Sequence, residues 1–171
     1  AGISIARLLL QMNMGDIILC GSKGTIYEGA PGNNPEKEKI AKLTNREGIK
    51  GSISDAMKGA DIFIGVSKPG IVTKEMVKSM AANPIVFAMA NPVPEIMPGD
   101  AMEAGAAVVG TGRSDFPNQV NNVLVFPGFF KGLLSVRAFK VVDSMKIRAA
   151  RAIAEIINEK ELKNTYVLPE V

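Results

Sequence analysis

The sequence predicts one α/β domain built on a doubly wound parallel sheet, and three observations predict it. Short apolar, β-branched runs alternate with helical patterns along the whole chain. Each run is apolar on both sides, as a strand covered on both faces should be. Small or amide-bearing residues stand after every run, at what would be equivalent ends of one sheet.

Residues 2–14 read as a helix with Ile3, Ala6, Leu10 and Met14 near one face, ended by Gly15. Residues 16–20, Asp-Ile-Ile-Leu-Cys, read as a buried strand running into Gly21. A polar, glycine-rich loop and a charged helix near 35–44 follow, then a short helix over 52–58 started by Ser52 or Ser54. Residues 62–66 form the next strand. Thr73 caps a helix that runs to about residue 81. Strands at 84–89 and 106–110 flank a short helix at 100–104. From Asn118 the chain reads as mainly helical, with a break near Pro127–Gly128 and a long amphipathic helix over 143–160. No repeat or low-complexity linker divides these 171 residues, enough for one substantial core.

Composition removes several kinds of function. Hydrophobic residues make up 47% and charged residues 22%, an ordinary globular balance. With no tryptophan and two tyrosines, aromatic stacking on nucleic acid is not expected. The net charge of +3 is spread over mixed-sign helix faces such as Glu36–Lys39, so no nucleic-acid partner is expected. Cys20 is the single cysteine, which forbids an internal disulfide, and in its apolar run it reads as a small buried hydrophobe. A cytoplasmic protein without a membrane span is the expectation. The absence of histidine removes the commonest general base and metal ligand, so neither a Cys/His zinc site nor a Ser-His-Asp triad can be assembled.

The four loops beyond the strands are Gly21-Ser22-Lys23, Gly65-Val66-Ser67, Asn91-Pro92 and Thr111-Gly112-Arg113-Ser114-Asp115. Glycines often just end strands. Four such loops at equivalent ends instead favour a flat dinucleotide approaching the backbone of a Rossmann-type sheet. Gly2 opens a helix with no strand ahead of it. Read as the third glycine of a G-x-G-x-x-G turn, it places two glycines and the innermost strand ahead of Ala1, so the domain is expected to lack its first strand and the first part of that turn.

The stretches ADIFIGVSKPG (60–70), PIVFAMANPVPEI (84–96) and TGRSDFPNQVNNVLVFPGFFKGLL (111–134), with the opening AGISIA, resemble the NAD(P)-binding domain of bacterial-type malic enzymes over roughly residues 1–160. That resemblance implies oxidative decarboxylation of malate to pyruvate and carbon dioxide. NAD or NADP would accept the hydride and Mg²⁺ or Mn²⁺ would act as Lewis acid. It assigns Asn91 to malate and nicotinamide, Asn121 to the cofactor and Asn122 to the substrate. Uncharged amides suit a pocket already holding a dianion, a metal and a cationic ring. Without the motif, Asn121 and Asn122 would read as helix caps and Asn91 as part of a turn.

The cofactor set is therefore Gly2, Gly21, Ser22, Lys23, Gly65, Val66, Ser67, Asn91 and Asn121, with Asn91 and Asn122 toward the substrate. Where an acidic residue usually holds the adenosine ribose, the chain has Gly21, followed by Ser22 and Lys23, which favours NADP. An arginine common a few residues later in the family is Ala30 here, which weighs against tight adenosine binding. The family's catalytic lysine, tyrosine and metal carboxylates have no counterpart in this chain, and Lys68, Lys74 and Asp115 read as surface or loop residues. A homo-oligomer is usual for the family. The alternatives are another dehydrogenase of the same architecture, which should lack the Asn-Gln-Val-Asn-Asn segment, and a non-catalytic module that binds only a dinucleotide or a partner. The purified 171-residue chain is expected to give no turnover of malate with Mn²⁺ and either cofactor; measurable turnover would overturn that assignment.

Overall fold

The computed structural model describes residues 1–170. Helix α1 (Gly2–Gln11) is followed by a two-stranded antiparallel hairpin, β1 (Cys20–Gly21) with β2 (Gly24–Thr25), and by helices α2 (Pro35–Ala41) and α3 (Ile53–Met57). Then β3 (Ile62–Gly65), α4 (Lys74–Lys78), β4 (Ile85–Ala88), α5 (Pro98–Glu103) and β5 (Val108–Thr111) alternate. A 3₁₀ turn (Asn122–Leu124), α6 (Phe126–Ser135) and α7 (Asp143–Ala154) complete the order.

Strands β3, β4 and β5 form a parallel sheet in that order, with Gly65 opposite Ala88 and Ala88 opposite Thr111. This is the expected α/β class. Residues alternate across the pleat, so Val86, Ala88 and Val109 face one side. There they pack with Met57 of α3, Val77 of α4 and Ala101 of α5 into the larger core. On the other face Ile85 and Phe87 are only half-buried. A second core joins Ala6 of α1, Leu19, Ile26, and Ile40 and Ala41 of α2.

The strand expected over 16–20 does not join the sheet. Only Cys20 enters a ladder, in the hairpin. The apolar run is extended, but its backbone partners come from elsewhere: the Ile17 carbonyl accepts the Asn45 N–H (2.8 Å) and the Leu19 carbonyl accepts the Ile26 N–H (2.7 Å). Strand status depends on a neighbouring strand, and among the described residues none lies beside this segment. The same hairpin geometry leaves Cys20 exposed, correcting the expectation of a buried residue.

Helix α1 stops at Gln11 rather than Met14. Asn13 takes the left-handed conformation (φ +55°), and the N–H groups of Asn13 and Met14 bond the carbonyls of Leu10 and Leu9, a Schellman closure. Thr73 caps α4 as expected, accepting the Met76 N–H at 3.3 Å. Ser52 starts α3, with its N–H and hydroxyl both donating to Asp55. Pro127 does not break the C-terminal helix but sits in the first turn of α6, where its missing N–H costs nothing. The break falls over residues 136–142 instead, with Arg137 at φ +49°. Helix α7 ends at Ala154, six residues short of the expected Lys160, and turns follow. Helix α6 buries none of its side chains, and Phe126, Phe130 and Leu134 stand exposed. No described helix is long and apolar enough to cross a membrane.

Asn118, left-handed at φ +55° and buried, joins the end of the chain to the sheet. Its amide donates to the carbonyls of Val109 (3.0 Å) and Asn164 (2.8 Å), and its Oδ1 accepts the Val167 N–H (2.8 Å). An alanine there would strip three backbone groups of their partner. Asn118→Ala is expected to destabilise the protein by about 2–4 kcal/mol, read as a lower denaturant midpoint at unchanged slope; a change under about 0.5 kcal/mol would contradict this accounting.

Candidate functional site

Two parallel pairings in step bring the carboxyl ends of β3, β4 and β5 to one edge of the sheet. Gly65, Val66 and Ser67 leave β3 there, Asn91 follows β4, and the Met89 N–H bonds the Gly65 carbonyl at 3.0 Å. The chain after β5 returns to the same edge, where Thr111 bridges to Gln119 and its carbonyl accepts the Val120 N–H at 2.8 Å. This return carries Asn121 and Asn122 to the end of β5. Gly2, the first residue of α1, approaches from the side: a Cβ there would meet Val66 Cγ2 at 3.9 Å. Gly2, Gly65–Ser67, Asn91, Asn121 and Asn122 thus belong to elements that converge on one end of the sheet.

Their side chains are in different states. Asn91 is exposed, and the Asn91–Pro92 peptide is cis. Asn121 caps the 3₁₀ turn, its Oδ1 accepting the Val123 N–H at 3.1 Å, while Asn122 is exposed. Thr111 is fully buried at the end of β5, and its Oγ1 has no hydrogen-bond partner among the described residues.

Gly21, Ser22 and Lys23 belong to the β1–β2 hairpin, which pairs with none of the three parallel strands. Gly21 and Lys23 line a small cleft with Gly24, Ala30, Gly32 and Lys37. Both lysines press against glycine: a Cβ on Gly32 would lie 2.7 Å from Lys23 Nζ, and one on Gly21 would lie 3.4 Å from Lys37 Nζ. No aspartate or glutamate lines this cleft. The sequence reading missed Lys37. Its signal was a cation in the first turn of α2, the helix end that disfavours positive charge.

The charged residues set aside as surface groups are engaged with neighbours. Lys74 pairs with Asp100 (2.9 Å) and Glu103 (2.6 Å), which raises it above the ordinary lysine range. Asp115 forms a two-pronged pair with Arg113, which holds its carboxyl below the usual range. Among the described residues, no three His, Cys, Asp or Glu side chains gather closely enough to hold a metal ion.

The family model for the malic enzyme NAD-binding domain matches residues 15–171. The chain belongs to the malic enzyme family. It is 59% identical over 170 residues to the bifunctional malic/malolactic enzyme of Bacillus subtilis, covering 99% of this chain and 42% of that protein. It is 50% identical to the NAD-dependent malic enzyme of Geobacillus stearothermophilus over the whole chain and 36% of that protein. The NADP-dependent malic enzyme of Rhizobium meliloti is 48% identical over 93% of the chain and 21% of its own length. The crystal structure of the NAD-dependent malic enzyme from Thermotoga maritima superposes with a TM-score of 0.93 at 42% identity, over 99% of this chain and 45% of that one. This malic enzyme chain therefore spans less than half the length of these relatives, two of which are named NAD-dependent and one NADP-dependent.

Although Cys20 is exposed, enough protein surrounds its sulfur that partial burial pushes the thiol up to about 11, from an ordinary value of 9.0. At pH 8 this leaves roughly a hundredfold less thiolate than an ordinary cysteine carries. Alkylation of Cys20 by iodoacetamide at pH 8 is expected to run far slower than that of free cysteine, recovering only as the pH approaches 11; a rate equal to free cysteine would contradict it.

Proposed function

We propose that this chain supplies the dinucleotide site of an enzyme that oxidatively decarboxylates malate to pyruvate and carbon dioxide. The convergence of Gly2, Gly65–Ser67 and Asn91 on one end of a parallel sheet supports this reading, because open α/β sheets bind ligands beyond their strand carboxyl ends. Glycine at position 2 and the small Ser67 leave room for a flat ring beside the backbone. A nicotinamide held beside Gly2, Ser67 and Asn91 would supply a hydride acceptor for the malate C2 carbon. Asn91 and Asn122 are exposed amides able to orient the substrate, donating and accepting without adding charge. Asn121 is held by its cap and would meet the cofactor through its remaining amide hydrogens.

The adenosine end would lie in the hairpin cleft. The observation that carries the choice of NADP is the cleft's charge: Lys23 and Lys37 line it, and no carboxylate does. Both ammonium groups can reach a 2′-phosphate, and Ser22 on the same turn adds a hydroxyl. Ala30 lines the cleft where an arginine would add a third cation, so the two lysines carry the preference.

Among the described residues no clustered carboxylate set fits a catalytic divalent metal. Mg²⁺ or Mn²⁺, the catalytic lysine and tyrosine, malate binding in full and a homo-oligomeric, cytoplasmic enzyme belong to the whole-protein proposal.

The test uses the protein as its gene encodes it, with malate, Mn²⁺ and each dinucleotide. NADP is expected to be reduced more efficiently than NAD. Lys23→Ala and Lys37→Ala should each weaken NADP binding about tenfold or more while NAD binding moves less than about twofold. NAD reduced at least as efficiently as NADP would overturn the preference, and no malate-dependent reduction of either would overturn the activity.

A further inference from the structure

Glu95 is fully buried, and the sequence reading did not single it out. It lies between the two loops that leave β3 and β4. Its Oε1 accepts the Ser67 N–H at 2.7 Å and its Oε2 accepts the Ala90 N–H at 2.9 Å. Its main-chain carbonyl accepts the Val72 N–H, and the Pro94 carbonyl accepts the Gly70 N–H, both at 3.1 Å. No lysine or arginine pairs with it among the described residues.

Gly65 has the complementary shape. A Cβ there would stand 2.5 Å from Glu95 Cδ and 2.7 Å from each carboxyl oxygen, so the carboxyl group fills the space that a side chain on β3 would occupy. An apolar side chain of similar size would leave the Ser67 and Ala90 N–H groups unpaired and supply no link between their loops. What two amide acceptors on one short side chain do supply is a fixed distance. Ser67 lies in one proposed cofactor loop, and Ala90 immediately precedes Asn91, the amide proposed to face nicotinamide and substrate.

We infer that Glu95 is a positioning residue: it clamps the Ser67 loop to the Asn91 loop, so that nicotinamide and malate meet in one geometry. This inference rests on the function proposed above. It places the effect of Glu95 on the turnover step and leaves the adenosine cleft, held by the hairpin, untouched.

The experiment compares three variants of the protein as its gene encodes it. Glu95→Gln keeps one acceptor but turns an NH₂ group toward the other backbone N–H; Glu95→Ala removes both; Gly65→Ala pushes the carboxyl group aside without deleting it. Each is expected to lower kcat for malate oxidation, by on the order of a hundredfold for the alanine at 95, while in the two Glu95 variants the dinucleotide Kd moves less than about threefold. Adding Glu95→Ala to Gly65→Ala should cost little more than either alone, since both undo one contact. A kcat per folded site within about twofold of wild type in Glu95→Gln, or a loss confined to folded yield, would overturn the inference. Hydrogen exchange separates it from the functional proposal. If wild type neither binds a dinucleotide nor oxidises malate, that proposal fails, and faster exchange at Ser67 and Ala90 in Glu95→Gln still supports the clamp. Unchanged protection at both amides overturns it.

Discussion

The sheet constrains everything else: three strands run parallel and in step, so their carboxyl ends reach one edge at the same level. Gly65, Ala88 and Thr111 stand side by side there, and loops distant in sequence emerge as neighbours. The Met89 N–H on the Gly65 carbonyl and the Val120 N–H on the Thr111 carbonyl extend the pairing just past the strands. The site belongs to that edge, and no single loop could have built it.

Much of this was legible locally. Strand runs at 62–66, 84–89 and 106–110 and the cap at Thr73 depend on residue type and short-range spacing, and the structure places elements there with ends shifted by a few residues. The run at 16–20 has the same local character yet joins no parallel ladder, because pairing is a property of two segments and its backbone partners come from the Asn45 turn and Ile26. Helix ends were less legible for a similar reason. Asn13 closes α1 two residues ahead of the glycine that looked like its stop, and asparagine is one of the few other residues that tolerates the left-handed conformation. Glycine and amide residues of the site could be found by their position after strands. Glu95 could not, since its role lies in amides 28 residues before it and five residues before it. Its one signal was a charged residue set between Pro94 and Ile96 in an otherwise apolar turn.

Buried asparagine does in two places what a strand or helix would otherwise do. Asn45, at φ +53°, bonds the carbonyls of Ile26 and Ile49 and the N–H of Ile49, holding the second core's loops together. Asn118 does the same for segments 46 and 49 residues away. In both, a side-chain amide stands in for a peptide group, satisfying donors and acceptors that no ladder reaches. This lets irregular chain lie against the sheet without leaving polar backbone stranded.

The Asn118 anchorage also bears on how the chain comes apart. Apart from it, the last described residues carry little regular structure, with a bridge from Lys163 to Tyr166 inside their own turn. Segments tied by a few bonds open at lower free energy than the sheet beneath them. A protease meeting the intact fold would therefore cut around residues 158–168 before it cut the parallel sheet.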